Sequence, residues 1–336
     1  MRITTNAILR NYKSNLSTSI SNLDTMRTRV MTSRKFNSTA EDPASALRSA
    51  VLERKYARNE DYLSLVDDVQ SFQDAQEDAA MQINTISQNL SKKYGLEALN
   101  GTNGTLDIRE TYAAAWRGAQ ESLLLSLNSS YEGRYVFAGS DGMTSPFELT
   151  KENGKQVLKY RGVDVDDPAS LARLEELSED SAYIDLGFGL TIDGQNVVSP
   201  SSAFDTSLPG INLIGYGQND DGTSKNMVIL AGQIADVLSQ EDFDVEEYKR
   251  LLNAFDEGRS NVLEKITTLG TQTEFLTTTK ERLESNKISL ASQIDNVVNV
   301  DMAEAIMDFS WAQYAYNAAL KVGNNILTPS FIDFMS

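Results

Sequence analysis

The sequence predicts a mainly α-helical protein with a β-rich insert, in which long helices from both chain ends pair as an antiparallel coiled-coil or helical-bundle rod. Apolar residues recur at alternating spacings of three and four over both ends of the 336-residue chain, and this period is typical of a helix that packs along a seam. The period disappears between about Tyr131 and Lys225, where glycine and proline cluster. A small β-rich domain is therefore expected between the helices.

The first predicted helix carries one apolar residue every seven positions. These residues are Leu9, Leu16, Leu23 and Val30, with Tyr12 and Met26 three residues after two of them and polar Ser19 between. The other positions are almost all polar, so the apolar stripe is narrow. Because such a helix buries little surface alone, it needs a partner helix from this chain or another.

A second long helix is predicted to begin after the turn that contains Asn37. Asp42 can accept hydrogen bonds from the open N–H groups of the next helical turn, and Pro43 suits the first helical position. The seam of this helix covers four heptads, from Tyr62 to Leu90. It fades by Tyr94, before a cluster of Asn and Gly residues.

A third helix is predicted from the capping-box pattern of Asp107 and Glu110. Its apolar face would consist of Ile108, Tyr112, Ala115, Ala119 and Leu123. In the insert, Asn153–Gly154 is a favoured two-residue hairpin turn, and Asp193–Gly194 indicates a second hairpin within 183–198. A short helix is expected over 171–177.

The C-terminal part returns to helix over 226–238 and then over the longest seam of the chain. Asp244 with Glu247, and Asp301 with Glu304, form capping patterns at the starts of two helices, with a break near Val300. The seam of the last helix is predicted to comprise Ile306, Phe309, Gln313, Tyr316, Leu320, Gly323 and Leu327.

These elements predict three parts. Residues 1–40 and 301–336 would form a terminal coiled-coil assembly domain, and residues 41–130 and 226–300 a helical rod domain. Residues 131–225 would form a β-rich outer insert. The seams near the two chain ends leave apolar surface uncovered in a single copy, and this favours assembly over chemistry.

Composition argues against an enzyme. The chain has no histidine and no cysteine, which excludes imidazole bases, thiolate chemistry and nearly every zinc site. The acidic stretch 217–222 and the segment Gly187-Phe188-Gly189 fail the calcium-loop and dinucleotide patterns, so neither a metal nor a cofactor is predicted. No catalytic residue is predicted either.

Charge and hydropathy limit the partners. The net charge of −18 opposes a general nucleic-acid role. Residues 1–60 carry 11 basic and 5 acidic side chains, so this N-terminal segment is basic whereas the rest of the chain is acidic. No apolar run is long enough to span a membrane, and the N-terminus lacks the pattern of a cleavable signal peptide.

Two segments at opposite ends resemble the bacterial flagellin family. The first is Asn37-Ser38-Thr39-Ala40-Glu41-Asp42-Pro43-Ala44-Ser45-Ala46-Leu47, which is similar to the N-terminal signature of that family. The second is the tail, with 301–306, 313–320 and Leu327-Thr328-Pro329-Ser330-Phe331-Ile332-Asp333-Phe334. In addition, Gly133-Arg134-Tyr135-Val136-Phe137-Ala138-Gly139-Ser140 resembles the subfamily that joins the hook to the filament.

This resemblance implies a structural role outside the cell. Terminal helices of the family pack as concentric coiled coils inside a tubular assembly, and the chain is exported unfolded through the flagellar type III channel. The implied partners are copies of the chain itself, hook-associated protein 1, flagellin and a flagellar export chaperone.

The residues expected to make subunit contacts are Leu9, Leu16, Leu23, Val30, Ile306, Phe309, Leu320 and Leu327. Asn37, Asp42 and Pro43 are expected to form the turn that starts the second helix. Two other functions remain open at this point. The chain could be a minor flagellin that forms the filament itself, or residues 141–224 could act as an outward-facing adhesin or binding module.

Overall fold

Long helices occupy both ends of the chain, and small antiparallel sheets lie between them, which confirms the predicted fold class. The computed structural model describes residues 5–99, 105–152, 155–194, 198–199 and 202–327. The helices are α1 (Thr5–Thr32), α2 (Pro43–Asn89), α3 (Leu106–Leu127), α4 (Leu171–Ser178), α5 (Gly210–Ile214), α6 (Met227–Leu238), α7 (Val245–Val298) and α8 (Met302–Leu327). A π-helical turn, Leu90–Gly95, follows α2.

The strands form three small antiparallel sheets in the described residues. They are β1 (Ser130–Tyr131), β2 (Arg134–Tyr135), β3 (Phe147–Glu152), β4 (Lys155–Tyr160), β5 (Val163–Asp164), β6 (Tyr183–Ile184) and β7 (Phe204–Asp205). In the β3–β4 hairpin Glu152 pairs with Lys155, and the predicted turn Asn153–Gly154 itself lies outside the described residues.

The second predicted hairpin was only partly right. Around Asp193–Gly194 the strands reduce to one isolated bridge between Ile192 and Val198. Strand β6 pairs with β7 instead, with Ile184 opposite Phe204. The partner of β6 lies outside residues 183–198, so the Asp193–Gly194 turn could not indicate this pairing.

The chain divides into two compact units, one from Met1–Asp61 with Glu284–Ser336 and one from Tyr62–Leu283. The three-part division predicted from sequence therefore stays a proposal. In the first unit, the segment after α1 pairs with the link between α7 and α8. The Lys35 N–H donates to the Val298 carbonyl at 2.8 Å, and the Val300 N–H donates to the Ser33 carbonyl at 3.1 Å.

The start of α2 is fixed by local hydrogen bonds. The helix begins at Pro43, and the Ser45 N–H donates to Asp42 Oδ1 at 3.0 Å. The Asn37 N–H donates to Glu41 Oε2 at 3.0 Å, which closes the turn before the helix. The hydrogen bonds from Ser45 lower the pKa of Asp42.

Replacing Asp42 by alanine should lower the thermal midpoint of the first unit, because the first turn of α2 loses an acceptor for its open N–H groups. Asp42→Asn should keep the cap and the stability. Since the pKa of Asp42 is lower in the folded state, its contribution is present at neutral pH and is lost as the pH falls through that pKa. Thermal unfolding followed by circular dichroism, for both variants at pH 7 and pH 3, measures this. Equal midpoints for the alanine and asparagine variants at pH 7 would contradict it.

The core of the second unit is built around Trp116 on α3. Its side chain is fully buried, and its ring meets that of Phe255 edge-on at 5.0 Å. Helix α6, which is capped by Asn226, is buried on nearly all sides against α3 and β4. This explains the long apolar run of α6, because a helix covered all round has no polar face.

Helix α3 begins at Leu106, two residues before the start that a cap at Asp107 predicts. Thr105 precedes it without a side-chain cap, and Asp107 lies in the first turn, so the Asp107–Glu110 capping box was wrong. The buried apolar row runs through Ala113, Trp116, Leu123 and Leu127, and Ile108 is exposed. Neighbouring elements cover α3 on more than one side, so apolar periodicity alone did not identify its most buried residues.

None of the described helices combines the length and hydropathy that a membrane span requires.

Candidate assembly surface

Helices α1 and α8 pack against each other in the first unit through two matching rows. The α1 row consists of Leu9, Tyr12, Leu16, Ser19, Leu23, Met26 and Val30, all partly buried. The α8 row consists of Ala305, Phe309, Ala312, Tyr316, Ala319 and Gly323, all partly or fully buried. Both rows alternate spacings of three and four, as an interhelical seam requires.

The pair is antiparallel and closely packed. Tyr12, near the start of α1, touches Gly323, near the end of α8, while the Ser33–Val300 hydrogen bond joins the other ends. On α8 the small residues Ala305, Ala312 and Ala319 repeat every seven positions between the aromatic ones. Small side chains at alternate positions of the α8 row let the two helices approach closely.

Replacing Gly323 by alanine should destabilise the α1–α8 pair. A Cβ atom at this position would overlap the ring end of Tyr12, so the ring must move. Overpacking lowers the free energy of unfolding by about 1–3 kcal/mol, whereas the higher helix propensity of alanine raises it by about 1 kcal/mol. We expect a net loss of about 1 kcal/mol in the free energy of unfolding of the first unit, measured by circular dichroism.

Two helical glycines provide the matched control for this substitution. A Cβ at Gly118 or Gly270 would meet no atom within 4 Å, so alanine there should stabilise the chain by up to about 1 kcal/mol. In a Tyr12→Ala background, Gly323→Ala should no longer be harmful, because the overlapping ring is gone. A Gly323→Ala variant as stable as the wild type would contradict the packing described.

Many large apolar side chains of α8 lie outside the seam with α1 and are uncovered. Its exposed large residues are Met302, Ile306, Met307, Trp311, Tyr314, Leu320 and Val322. Trp311 and Tyr314 are 72% and 70% exposed, and their rings meet edge-on at 6.5 Å. Large apolar side chains that stay exposed on one helix indicate an interaction surface. We call these seven residues the outer face of α8.

The structure places the predicted contact residues in two different surfaces. Five of them, Leu9, Leu16, Leu23, Val30 and Phe309, lie in the seam between α1 and α8. Ile306 and Leu320 lie on the outer face of α8, and the side chain of Leu327 lies outside the described residues. Whether these residues contact other subunits stays a prediction.

The predicted seam of α8 was wrong in phase at several positions. Only Phe309, Tyr316 and Gly323 belong to the buried row, whereas Ile306, Gln313 and Leu320 are exposed. Because α8 has large apolar residues on all sides, apolar periodicity could not say which of them face α1. The heptad spacing of Ala305, Ala312 and Ala319 was the signal that marks the close contact, and it was missed.

In the described ranges, no group of three or more histidine, cysteine, aspartate or glutamate side chains is arranged to hold a metal ion.

Comparison with known families matches residues 3–141 to the bacterial flagellin N-terminal helical region. No curated protein matches the chain in sequence.

Solved structures with a similar fold include a flagellar hook-associated protein of Vibrio parahaemolyticus. It superposes with a TM-score of 0.60 at 18% identity, over 77% of this chain and 100% of that one. FlgL of Bacillus cereus superposes with a TM-score of 0.52 at 16% identity, over 73% of this chain and 99% of that one. At such identities the likeness shows the shared fold.

Proposed function

Since the N-terminal helical region of this chain belongs to the bacterial flagellin family, we propose that the protein is a structural component of the flagellum, a hook-associated protein 3 that joins the hook side to the flagellin filament. The observation that carries the proposal is the outer face of α8, seven large apolar side chains that stay exposed on the helix that forms the seam with α1. The similar folds of FlgL and the Vibrio hook-associated protein support the same role.

The geometry suits assembly by burial of helices. The α1–α8 seam holds the two chain ends together, and this pairing leaves the outer face of α8 for neighbouring copies. Burying one large apolar side chain is worth about 1.5–3 kcal/mol. Trp311 and Tyr314 alone would therefore supply about 3–6 kcal/mol to each contact, a substantial part of the free energy that a stable contact needs.

The polar side of α1 complements this apolar face. Arg10, Lys13 and Arg27 are exposed on α1, whereas Glu304 and Asp308 are exposed on α8. A neighbouring copy that covers the outer face of α8 can thus pair opposite charges at the rim. Such rim pairs contribute little affinity but select the register of the contact.

In this proposal the partners are copies of the chain, hook-associated protein 1 on the hook side and flagellin on the filament side. An export chaperone would cover the exposed apolar face before secretion. The location is the extracellular flagellum, reached through the flagellar type III channel. The work of the protein is mechanical, and no catalytic step is involved.

The proposal is tested in a strain that lacks the protein, examined by electron microscopy. We expect hooks without attached filaments and flagellin released into the medium. Restoring the wild-type chain should restore filaments. Filaments that attach normally but differ in shape or number would instead favour the alternative that the protein is a minor flagellin.

A further inference from the structure

Three clefts adjoin one another on the second unit. Their volumes are about 420, 630 and 580 Å³. Asn212 and Lys265 line both the first and the second, while Asp166, Asp167 and Gln218 line both the second and the third. All lining residues belong to one compact unit. We call the three clefts together the polar groove.

Amide side chains of the groove are held in fixed orientations. Four of them donate their NH₂ groups to backbone carbonyl oxygens: Gln73 to Leu269 at 3.1 Å, Gln76 to Val136 at 2.8 Å, Asn212 to Ser178 at 2.7 Å and Asn261 to Asn212 at 3.0 Å. Gln73 and Gln76 are only 3% exposed. Because the donors are engaged, the carbonyl oxygens of these amides are the groups left for a ligand.

No hydrogen bond from another described residue reaches these four amide oxygens. Buried polar groups of a native protein normally have partners, and amides that line a cleft can find them in water or in a ligand. These four oxygens are therefore fixed acceptors without a partner among the described residues. Such acceptors favour ligands with many donors.

The carboxylates of the groove are largely engaged within the chain. Ser224 Oγ donates to Asp166 Oδ1 at 2.7 Å, and the Ala182 N–H donates to Asp205 Oδ1 at 2.9 Å. Arg161 pairs with Asp180 at 2.8 Å. By contrast, the ammonium group of Lys265 has no partner among the described residues, although it lies where two of the clefts meet.

Tyrosine rings supply the apolar contacts of the groove. Tyr183 is 37% exposed at the rim of the first cleft, and Tyr216 lines the second. Large aliphatic side chains are few in the lining. A peptide ligand needs pockets for apolar side chains. The lining also holds acidic side chains, among them Asp167, Glu175 and Glu179, so a cationic ligand has to be tested beside a sugar. Sugar hydroxyls donate to fixed acceptors and also accept from lysine, and sugar C–H faces pack on tyrosine rings.

We propose that the polar groove binds a linear, uncharged oligosaccharide, with the amide oxygens accepting from its hydroxyl groups. Lys265 donates to a sugar oxygen at the middle of the groove, and Tyr183 packs against a sugar ring at one end. Every contact of this site lies within one unit of one copy.

Isothermal titration of the purified full-length protein tests this. The probes are maltohexaose, cellohexaose and N-acetylchitohexaose, each added alone, with spermine as a cationic probe. The variants are Lys265→Ala and Tyr183→Ala, and the control is Gln82→Ala, an exposed amide on α2 outside the groove. Circular dichroism checks that each variant folds.

We expect saturable binding of at least one hexasaccharide, weakened about tenfold by loss of Lys265 or Tyr183 and unchanged by the control. Three outcomes would overturn the inference: no saturable binding of any hexasaccharide, binding that neither groove variant weakens, or tighter binding of spermine at the same site. None of these results bears on flagellar incorporation, so the proposed structural role would stand or fall separately.

Discussion

A variant with glutamate in place of both Trp311 and Tyr314 should fold as a monomer and fail to support filaments. Both rings are more than two thirds exposed in the single chain, so their loss removes little internal packing. In the assembled state they would be buried, and each is worth about 1.5–3 kcal/mol. Introducing two carboxylates into that contact adds a desolvation penalty.

The combined effect on assembly is large. A loss of about 4–5 kcal/mol per contact lowers the association constant by roughly a thousandfold or more. Complementation of a strain that lacks the protein, read by swimming motility and electron microscopy, measures this effect. The purified variant should keep the helical content of the wild type by circular dichroism.

A conservative pair of substitutions provides the control. Trp311→Phe with Tyr314→Phe keeps two aromatic rings on the outer face of α8, so it should retain most of the motility. If the glutamate variant supported normal filaments, the outer face of α8 would not be the assembly surface. If the phenylalanine variant failed as completely as the glutamate variant, burial of apolar area would not be the cause.

Replacing Asp166 by asparagine should stabilise the second unit at neutral pH. The pKa of Asp166 is raised to about 6, chiefly by burial; the hydrogen bond from Ser224 lowers it and the charge of nearby Asp164 raises it, and both effects are included in that value. The folded state therefore holds a proton that the unfolded state releases near its ordinary pKa of 3.8. An asparagine keeps an acceptor for Ser224 and carries no charge.

The direction of the pH dependence follows from linkage. Between about pH 4 and pH 6 the folded chain binds more protons at this position than the unfolded chain, so stability falls as the pH rises. Above pH 6 the cost of the buried charge is fully present, and it amounts to at most about 3 kcal/mol for a shift of about two pKa units. Asp166→Asn should remove this loss, with no gain at pH 4.

Urea unfolding from pH 4 to pH 8 measures the difference. In a Trp311→Phe background, Trp116 is the one remaining tryptophan of the chain, so its fluorescence reports on the second unit alone. The control is Asp68→Asn, an exposed position on α2. Equal stability of Asp166→Asn and its background at pH 8 would mean that the buried carboxylate carries no cost.

Much of the architecture could be predicted from local patterns. The starts of α2, α7 and α8 follow Asp42, Asp244 and Asp301, because a helix cap depends on hydrogen bonds within a few residues of the chain. The long helices follow from apolar spacing repeated over many turns. The β3–β4 hairpin follows from a turn dipeptide between two strand-forming segments.

The candidate surface was predicted only in part. Leucines of α1 were identified because their stripe is narrow and its neighbours are polar. On α8 the same method failed, since Ile306, Trp311 and Leu320 look as suitable for burial as Phe309. The pairing of β6 with β7 and the polar groove depend on residues that are distant in sequence. No local sequence pattern therefore predicts them.

Apolar spacing and turn residues were enough to predict long helices at both chain ends with a β-rich segment between them. They could not predict which side of α8 faces α1 and which side stays exposed. A helix period depends on neighbours along the chain, whereas the choice of a buried face depends on which surfaces fit. Gly323 contributes to that fit, because a Cβ atom at this position would overlap the ring of Tyr12.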